Sequence, residues 1–528
     1  MNQLRITRSR TPAVLLLLSL AGGGVAAAHF ARHDAVSGNP DAIVYVEAAD
    51  NLLRGNGLTA IERHYTGSPL HRFRDEPLTH YPPLFPLLIA GVSACGVASV
   101  EAAQWLNMLL MAASILLAGH VAYRASAGAL GAAFVAGALV LASPTTFRMH
   151  TEALSEPLFV FLAVGGMALL ADYLDTQKLA LLAAAAVLVA LAWLARYVGV
   201  AMWGTAVIAL LLRSGAPLRR RLAEASLFSA MAATPMLGWL IHNRLVAGTA
   251  AHRPIAFHPL PAREWQAGLK AVRHWFIPHD APRALTIVTL CVIGITILAV
   301  GVVLWRRKRR PGMEGPLRVP RLVRIMGLFA AVYLGVMVVS MTFVDALTPF
   351  NFRTLYPLYV CAVVAGCVMV ASIYRVCGRK ERLLIAGSAC ALLVTGVSAT
   401  ACWVLESRRE GLGATRSWMH SETMRKVAAL PPDTSIYTNA GMGVHFQTGR
   451  RAFGVPVKFD PISGTPNSRY EWEMRCLREG LKKPGSVLVL FPGFWLKYTA
   501  DTGELRRAVD LETVFQDARG AILQSRRP

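Results

Sequence analysis

The chain has 528 residues, 54% of them hydrophobic and only 16% charged, a balance that excludes an ordinary soluble domain. Its 54 Lys and Arg against 31 Asp and Glu give a formal charge of +23. The cations bunch between apolar segments, which points to membrane topology and away from nucleic acid.

In chain order, the first apolar segment, Leu15–Phe30, follows Arg5, Arg8 and Arg10. It ends in "VAAAH", which could serve as a signal-peptide cleavage site. An uncleaved anchor is favoured because the rest is polytopic, and either choice leaves the next loop on the same side. That loop opens "NPDAIVYVEAADNLLRGNGL", with Asp41, Tyr45, Glu47, Asp50 and Arg54 at helical spacings. Pro83–Val97 is a short apolar run introduced by Tyr81-Pro82-Pro83.

The remaining candidate spans are Ala103–Tyr123, Leu130–Thr145, Pro157–Tyr173, Leu179–Ala195, Val198–Leu212, Ala223–Ile241, Leu285–Trp305, Val323–Val344, Leu355–Tyr374 and Leu383–Leu405. Some are shorter than the ~20 residues that cross a bilayer comfortably. The loops Arg213–Arg221, Arg306–Arg324 and Arg375–Arg382 are basic and therefore expected to be cytoplasmic, as is the N-terminus. All four assignments agree with about eleven spans, provided that Pro83–Val97 lies on or dips into the outer face. Asp41, the loop around Glu156, Arg196, the loop His242–Arg283, Asp345–Thr354 and the C-terminus then lie outside. The expected location is the cytoplasmic (inner) membrane.

From about Glu406 the composition becomes polar. "LPPDTSIYTN" holds a short strand candidate after a helix-like stretch, Trp418–Leu430, and "PGSVLVLFPG" reads as a buried strand. The expected architecture is mostly α, with a membrane domain over 1–405 and a small extracytoplasmic α/β domain over 406–528. Gly441 and Gly443 lack the flanks of a phosphate-binding glycine loop, and no nucleotide motif occurs. The eight cysteines lie mostly in apolar runs, and Cys476 is alone in the polar part, so no disulfide framework or metal spacing is visible.

Chemistry-bearing residues collect at the outer ends. The first loop carries Asp41, Tyr45, Arg54, Arg63, Arg72, Arg74, His80 and Tyr81. The second carries Arg148, His150, Glu152 and Glu156. Arg196-Tyr197, Arg253 in "HNRLVAGTAAHRP" and Arg353 in "NFRTLYPLY" follow. Carboxylates suit proton abstraction from a hydroxyl, and arginines suit a phosphate. Each also has a plainer reading. Asp41 could cap a helix beginning near Ile43, Glu156 could sit at a helix N-terminus for its dipole, and Arg196 and Arg353 could snorkel to headgroups. The histidines show no metal-type pairing.

The stretch "PDAIVYVEAADNLLRGNGL…THYPPLFPLLIAG" resembles the first external loop of the glycosyltransferase-C superfamily. "EALSEPLF", "ARYVG", "WLIHNRLVAGTAAHR" and "FRTLYPLY" follow in the matching order. These polytopic enzymes use polyprenyl-phosphate sugars and include protein O-mannosyltransferases and lipid A aminoarabinose transferases. The resemblance implies that Asp41 is the catalytic carboxylate and Glu156 the second acidic position. Ala42 stands where an acidic residue is common, which disfavours a two-carboxylate metal site there. Tyr81 stands where some relatives have a phosphate-binding lysine. Phosphate must then be held by other groups, for which Arg196, Arg253 and Arg353 are the candidates, and Tyr45, His80 and Tyr81 complete the expected substrate-binding set.

The implied function is inverting transfer of a sugar from a polyprenyl-phosphate donor to an envelope lipid, glycan or protein. No cofactor is required by the sequence, and a divalent metal stays open without a residue pattern to support it. Two other readings are a transporter or flippase of lipid-linked glycans and a non-catalytic envelope assembly protein. Inverted repeats would favour the former, and none is evident.

Overall fold

The structure is a computed structural model, and it describes residues 10–32, 39–61, 75–251, 253, 255–276, 282–308, 319–345, 348–410, 418–459, 465–492 and 498–526. The expected loop cations Arg63, Arg72 and Arg74 lie outside the described residues.

Helix α1 (Arg10–Ala31) leads to α2 (Pro40–Leu53). The cap of α2 is Asn39, whose side chain accepts from the Asp41 backbone N–H, and Pro40 occupies the first turn. Strands β1 (Thr59–Ile61) and β2 (Asp75–Pro77) pair antiparallel beneath it. The Pro83–Val97 run forms only α3 (Leu84–Ser93), ten residues long. At about 15 Å it is too short to span a core of about 30 Å.

The bundle continues through α4 (Ser99–Ala125), α5 (Leu130–Leu141), α6 (Pro144–Thr151), α7 (Glu156–Thr176), α8 (Leu179–Ala195), α9 (Val200–Leu211) and α10 (Leu218–Ala247). It is completed by α11 (Ala262–Phe276), α12 (Arg283–Lys308), α13 (Arg321–Phe343), α14 (Tyr356–Tyr374) and α15 (Arg379–Glu410). Every apolar run expected to span coincides with a helix except Leu130–Thr145, which covers α5 and the start of α6. Among the described residues seven helices are long and apolar enough to cross a membrane, or eight if α5 and α6, bent by 61°, form one span. The chain is a multi-pass membrane protein. The expectation of about eleven spans also counted α8 and α9, which are shorter, and α10, whose apolar run is diluted by Glu224, Ser226, Ser229 and Pro235. The bend in the Leu130–Thr145 run falls where Pro144 begins a new helix, because proline cannot continue the preceding hydrogen-bond ladder.

The C-terminal part is a five-stranded mixed sheet in the order β4-β3-β5-β7-β6. Its strands are β3 (Ser435–Thr438), β4 (Phe453–Gly454), β5 (Ser486–Leu490), β6 (Leu511–Asp517) and β7 (Gly520–Ser525). Both strands expected from sequence, β3 and β5, are central. Side chains alternate between two cores, as strand pleating requires. Val487 and Val489 pack on one face with Met424 and Val427, and Leu488 and Leu490 on the other with Leu477 and Leu481. This part docks on α2. Met442 joins the main core, His445 Nε2 lies 3.0 Å from Glu47, and Arg451 meets Asp75 at 2.6 Å.

Candidate functional site

Four breaks in the helical bundle bring the site together. α2, capped by Asn39, begins at Pro40 and puts Asp41 in its first turn, 8% exposed. α6 ends at Thr151, and α7 restarts at Glu156-Pro157, which leaves Glu156 in the first turn, 1% exposed. α8 stops at Arg196, whose extended backbone leads into a short 3-10 turn, Tyr197–Gly199. A Cβ on Gly199 would come within 2.4 Å of the Trp193 backbone, so only glycine permits this close reversal. Finally, Arg353 stands on the loop before α14, where the Asn351 side chain accepts from the Arg353 and Thr354 backbone N–H groups.

The charges form a chain. Arg353 ion-pairs with both Asp41 and Glu156. Arg196 pairs with the same Glu156 oxygen at 2.8 Å and donates to Ser155 Oγ at 3.1 Å. The Tyr45 hydroxyl meets Ser155 Oγ at 3.0 Å. The other Asp41 oxygen accepts from the Tyr81 hydroxyl at 2.6 Å. Two carboxylates and two guanidiniums thus offset one another in a buried site. Such burial is tolerated only because each charge is paired. Glu156 Oε2 is the exception: buried, with no hydrogen-bond partner among the described residues.

Burial alone would lower the Arg353 pKa, but Asp41 and Glu156 outweigh it and hold the guanidinium well above its usual range. Burial likewise opposes the charge on Arg196, and Glu156 overcomes it, so its pKa is raised. The Tyr45 phenol is pushed up, chiefly by burial, with Asp41 and Glu156 adding to the effect and Arg196 opposing it. The arrangement can therefore offer a carboxylate to a hydroxyl and two fixed cations to an anion.

The remaining expected residues lie beside this chain. His80 is buried and meets the Tyr81 ring edge-on at 5.1 Å. Arg253 donates to His80 Nε2 at 3.3 Å and pairs with Asp345. Arg253 is thus committed to a carboxylate that the sequence reading did not single out. Glu152 accepts from Asn39 at 3.3 Å, Arg148 stacks over Phe352 at 5.0 Å, and Arg54 sits in a loose surface pair with Asp50. His150 is buried in α6, where its Nδ1 contacts the Thr146 carbonyl at 2.8 Å. Tyr81, expected to bind substrate, points at Asp41. Asp41 is not the helix cap, because Asn39 fills that place.

Sequence reasoning missed the supports. Asn107, alone in an apolar stretch of α4, donates to the Glu152 and Leu154 carbonyls at 2.6 and 2.9 Å and shapes the Glu156 loop. Tyr197 anchors to the Thr79 carbonyl at 2.8 Å, and Tyr333 to the Thr354 carbonyl at 2.7 Å. A polar residue inside an apolar run was the available signal for Asn107 and Tyr333. Among the described residues no group of three or more His, Cys, Asp or Glu side chains could hold a metal ion.

No family model and no curated protein matches the chain in sequence. Solved structures do match in fold. ArnT from Cupriavidus metallidurans bound to undecaprenyl phosphate superposes with a TM-score of 0.56 at 13% identity, covering 97% of this chain and 98% of that one. Its apo state gives the same TM-score and identity, covering 98% of each chain. The archaeal oligosaccharyltransferase AglB from Archaeoglobus fulgidus, in complex with an inhibitory peptide and a dolichol-phosphate, gives 0.50 at 11% identity, covering 97% of this chain and 74% of that one. The chain has the glycosyltransferase-C fold. The glycosyltransferase-C fold was the expectation from the ordered loop pieces, and the likeness extends over nearly the whole chain. Identities this low speak to the fold, so the chemistry must be argued from the residues.

Proposed function

We propose that the protein transfers a sugar from a polyprenyl-phosphate donor to an envelope acceptor at the outer face of the cytoplasmic membrane, with inversion at the anomeric carbon. The observation that carries this reading is the Asp41–Arg353–Glu156–Arg196 chain, a base candidate and two cations held together at one end of the bundle. The loop charges support an external site and an extracytoplasmic 406–528 domain. Two of the solved neighbours are bound to undecaprenyl phosphate and to a dolichol-phosphate, lipid phosphates of the class proposed here.

In the reaction, the acceptor hydroxyl gives its proton to the Asp41 carboxylate as its oxygen bonds to the anomeric carbon. The bond from that carbon to the phosphate oxygen breaks, and its electron pair stays on the phosphate. General-base help of this kind contributes about 10²–10⁴-fold. Arg353 and Arg196 stabilise the growing phosphate charge. In the resting site Arg353 is tied to Asp41 and Glu156. The donor phosphate competes for that guanidinium and releases Asp41 as the base. The sugar arrives already on a lipid, which accounts for a sequence without a nucleotide motif.

The test is mass spectrometry of envelope glycans and lipid-linked sugars from cells with and without the gene. A missing decoration with an accumulated polyprenyl-phosphate sugar is expected. Unchanged glycans and unchanged lipid-linked sugars would overturn the proposal.

A further inference from the structure

Helix α11 has three distinct faces. Glu264, Gly268, Ala271 and Trp275 form an i, i+4, i+7, i+11 stripe that packs inward. Glu264 accepts from the Phe350 backbone N–H at 3.3 Å, a Cβ on Gly268 would lie 3.2 Å from Phe350, and Trp275 meets Tyr359 with ring centroids 5.8 Å apart. Beside this stripe, Trp265, Leu269 and Val272 are 50%, 72% and 37% exposed. The third face is polar, with Arg263, Gln266, Lys270 and Arg273 exposed. Three neighbouring exposed apolar side chains on one helix face, rimmed by polar residues, mark an interaction surface.

The helix also has a definite level. Tyr359 lies within the first turn of α14, one of the spanning helices. The segment before α11 hydrogen-bonds the last residues of α13, Ala256 N–H to Phe343 O at 3.0 Å and His258 N–H to Thr342 O at 2.9 Å. There Ile255 and Phe257 are 84% and 70% exposed. α11 therefore sits where spanning helices end, at the boundary between hydrocarbon and headgroups. An apolar face beside a cationic face at that depth is the pattern of a helix lying in the membrane interface, and lysine and arginine there attract anionic headgroups.

We infer that α11 is seated in the bilayer surface, with Trp265, Leu269 and Val272 among acyl chains and Lys270 and Arg273 on anionic lipid headgroups. Through Phe350 this seating braces the loop that presents Arg353, so the partner of this surface is the anionic lipid bilayer. The inference stands apart from sugar transfer and is tested without it.

Single cysteines at 269, 272 and 270 (Leu269→Cys, Val272→Cys, Lys270→Cys) are placed in full-length protein whose native cysteines have been replaced. Each is spin-labelled in nanodiscs containing phosphatidylglycerol and phosphatidylethanolamine. Collision with oxygen should exceed collision with a water-soluble nickel chelate at 269 and 272, and the order should reverse at 270. Nickel access at 269 and 272 equal to that at 270 would place the face in water and overturn the inference. Shielding of 269 and 272 from both reagents would mean that protein covers the face, and would overturn it equally.

Discussion

Arg353 reaches across 312 positions of sequence to ion-pair with Asp41, and the same guanidinium holds Glu156. Removing it takes the guanidinium away from the buried Asp41 carboxylate and one of two from Glu156, which keeps Arg196. Uncompensating a buried pair costs about 3–5 kcal/mol. Arg353→Ala should therefore lower the melting temperature in nanodiscs and, on the proposed function, weaken binding of a polyprenyl phosphate. Arg353→Lys keeps the charge but lacks the planar fork that serves two carboxylates, so it should recover stability more than turnover. Thermal unfolding and lipid-phosphate binding, measured on both variants, check this. An Arg353→Ala protein with unchanged melting and binding would remove Arg353 from the site.

Tyr81 separates two roles. As the donor to Asp41 it acts by orienting the base; as a substrate-binding residue it would act on donor affinity. Hydrogen bonds to charged groups contribute about 1.5–3 kcal/mol. Tyr81→Phe should lower kcat by roughly ten-fold or more and leave donor KM nearly unchanged. A raised KM with normal kcat would instead make Tyr81 a substrate contact.

Much of this was legible in the sequence, and the reason is local. Apolar runs bounded by charge locate helices without knowledge of their neighbours, and the expected spans, Leu130–Thr145 excepted, coincide with helices for that reason. Strand β5 was visible as an apolar run closed by Pro and Gly, and β3 as a short candidate in "LPPDTSIYTN". Asp41 and Glu156 were singled out by the resemblance of the loop pieces, and Arg196, Arg253 and Arg353 as the arginines left to hold a phosphate; spacing alone left each with a plainer structural reading. Their partners were not legible. That Tyr81 turns to Asp41 while Arg253 turns to Asp345, 92 positions away, depends on how α2, α3 and α13 pack, which no periodicity records. The cap at Asn39 was legible, since Asn followed by Pro at the first helical position is a start signal, but the helix was expected to begin near Ile43, which left Asp41 as the cap candidate.

Tyr45 gives the pH prediction. Its phenol is raised by burial, so it stays protonated further into the alkaline range than a free tyrosine. It therefore neither gains nor loses charge between pH 6 and about 10. Tyr45→Phe should lower the plateau of the pH–rate profile through its lost contact with Ser155, while both limbs keep their positions. Loss of an alkaline limb in Tyr45→Phe would show that the phenol titrates in the working range.

The central claim is that Asp41 takes the acceptor's proton. Because Asn39 caps α2, an amide at position 41 costs no cap, and asparagine keeps the size of the side chain. The decisive measurement is sugar transfer by purified Asp41→Asn protein in nanodiscs, using the polyprenyl-phosphate sugar that accumulates in cells lacking the gene, with donor binding measured separately. The account predicts a folded protein that binds donor and turns over slower by roughly 10² or more. Transfer at a near wild-type rate would contradict it.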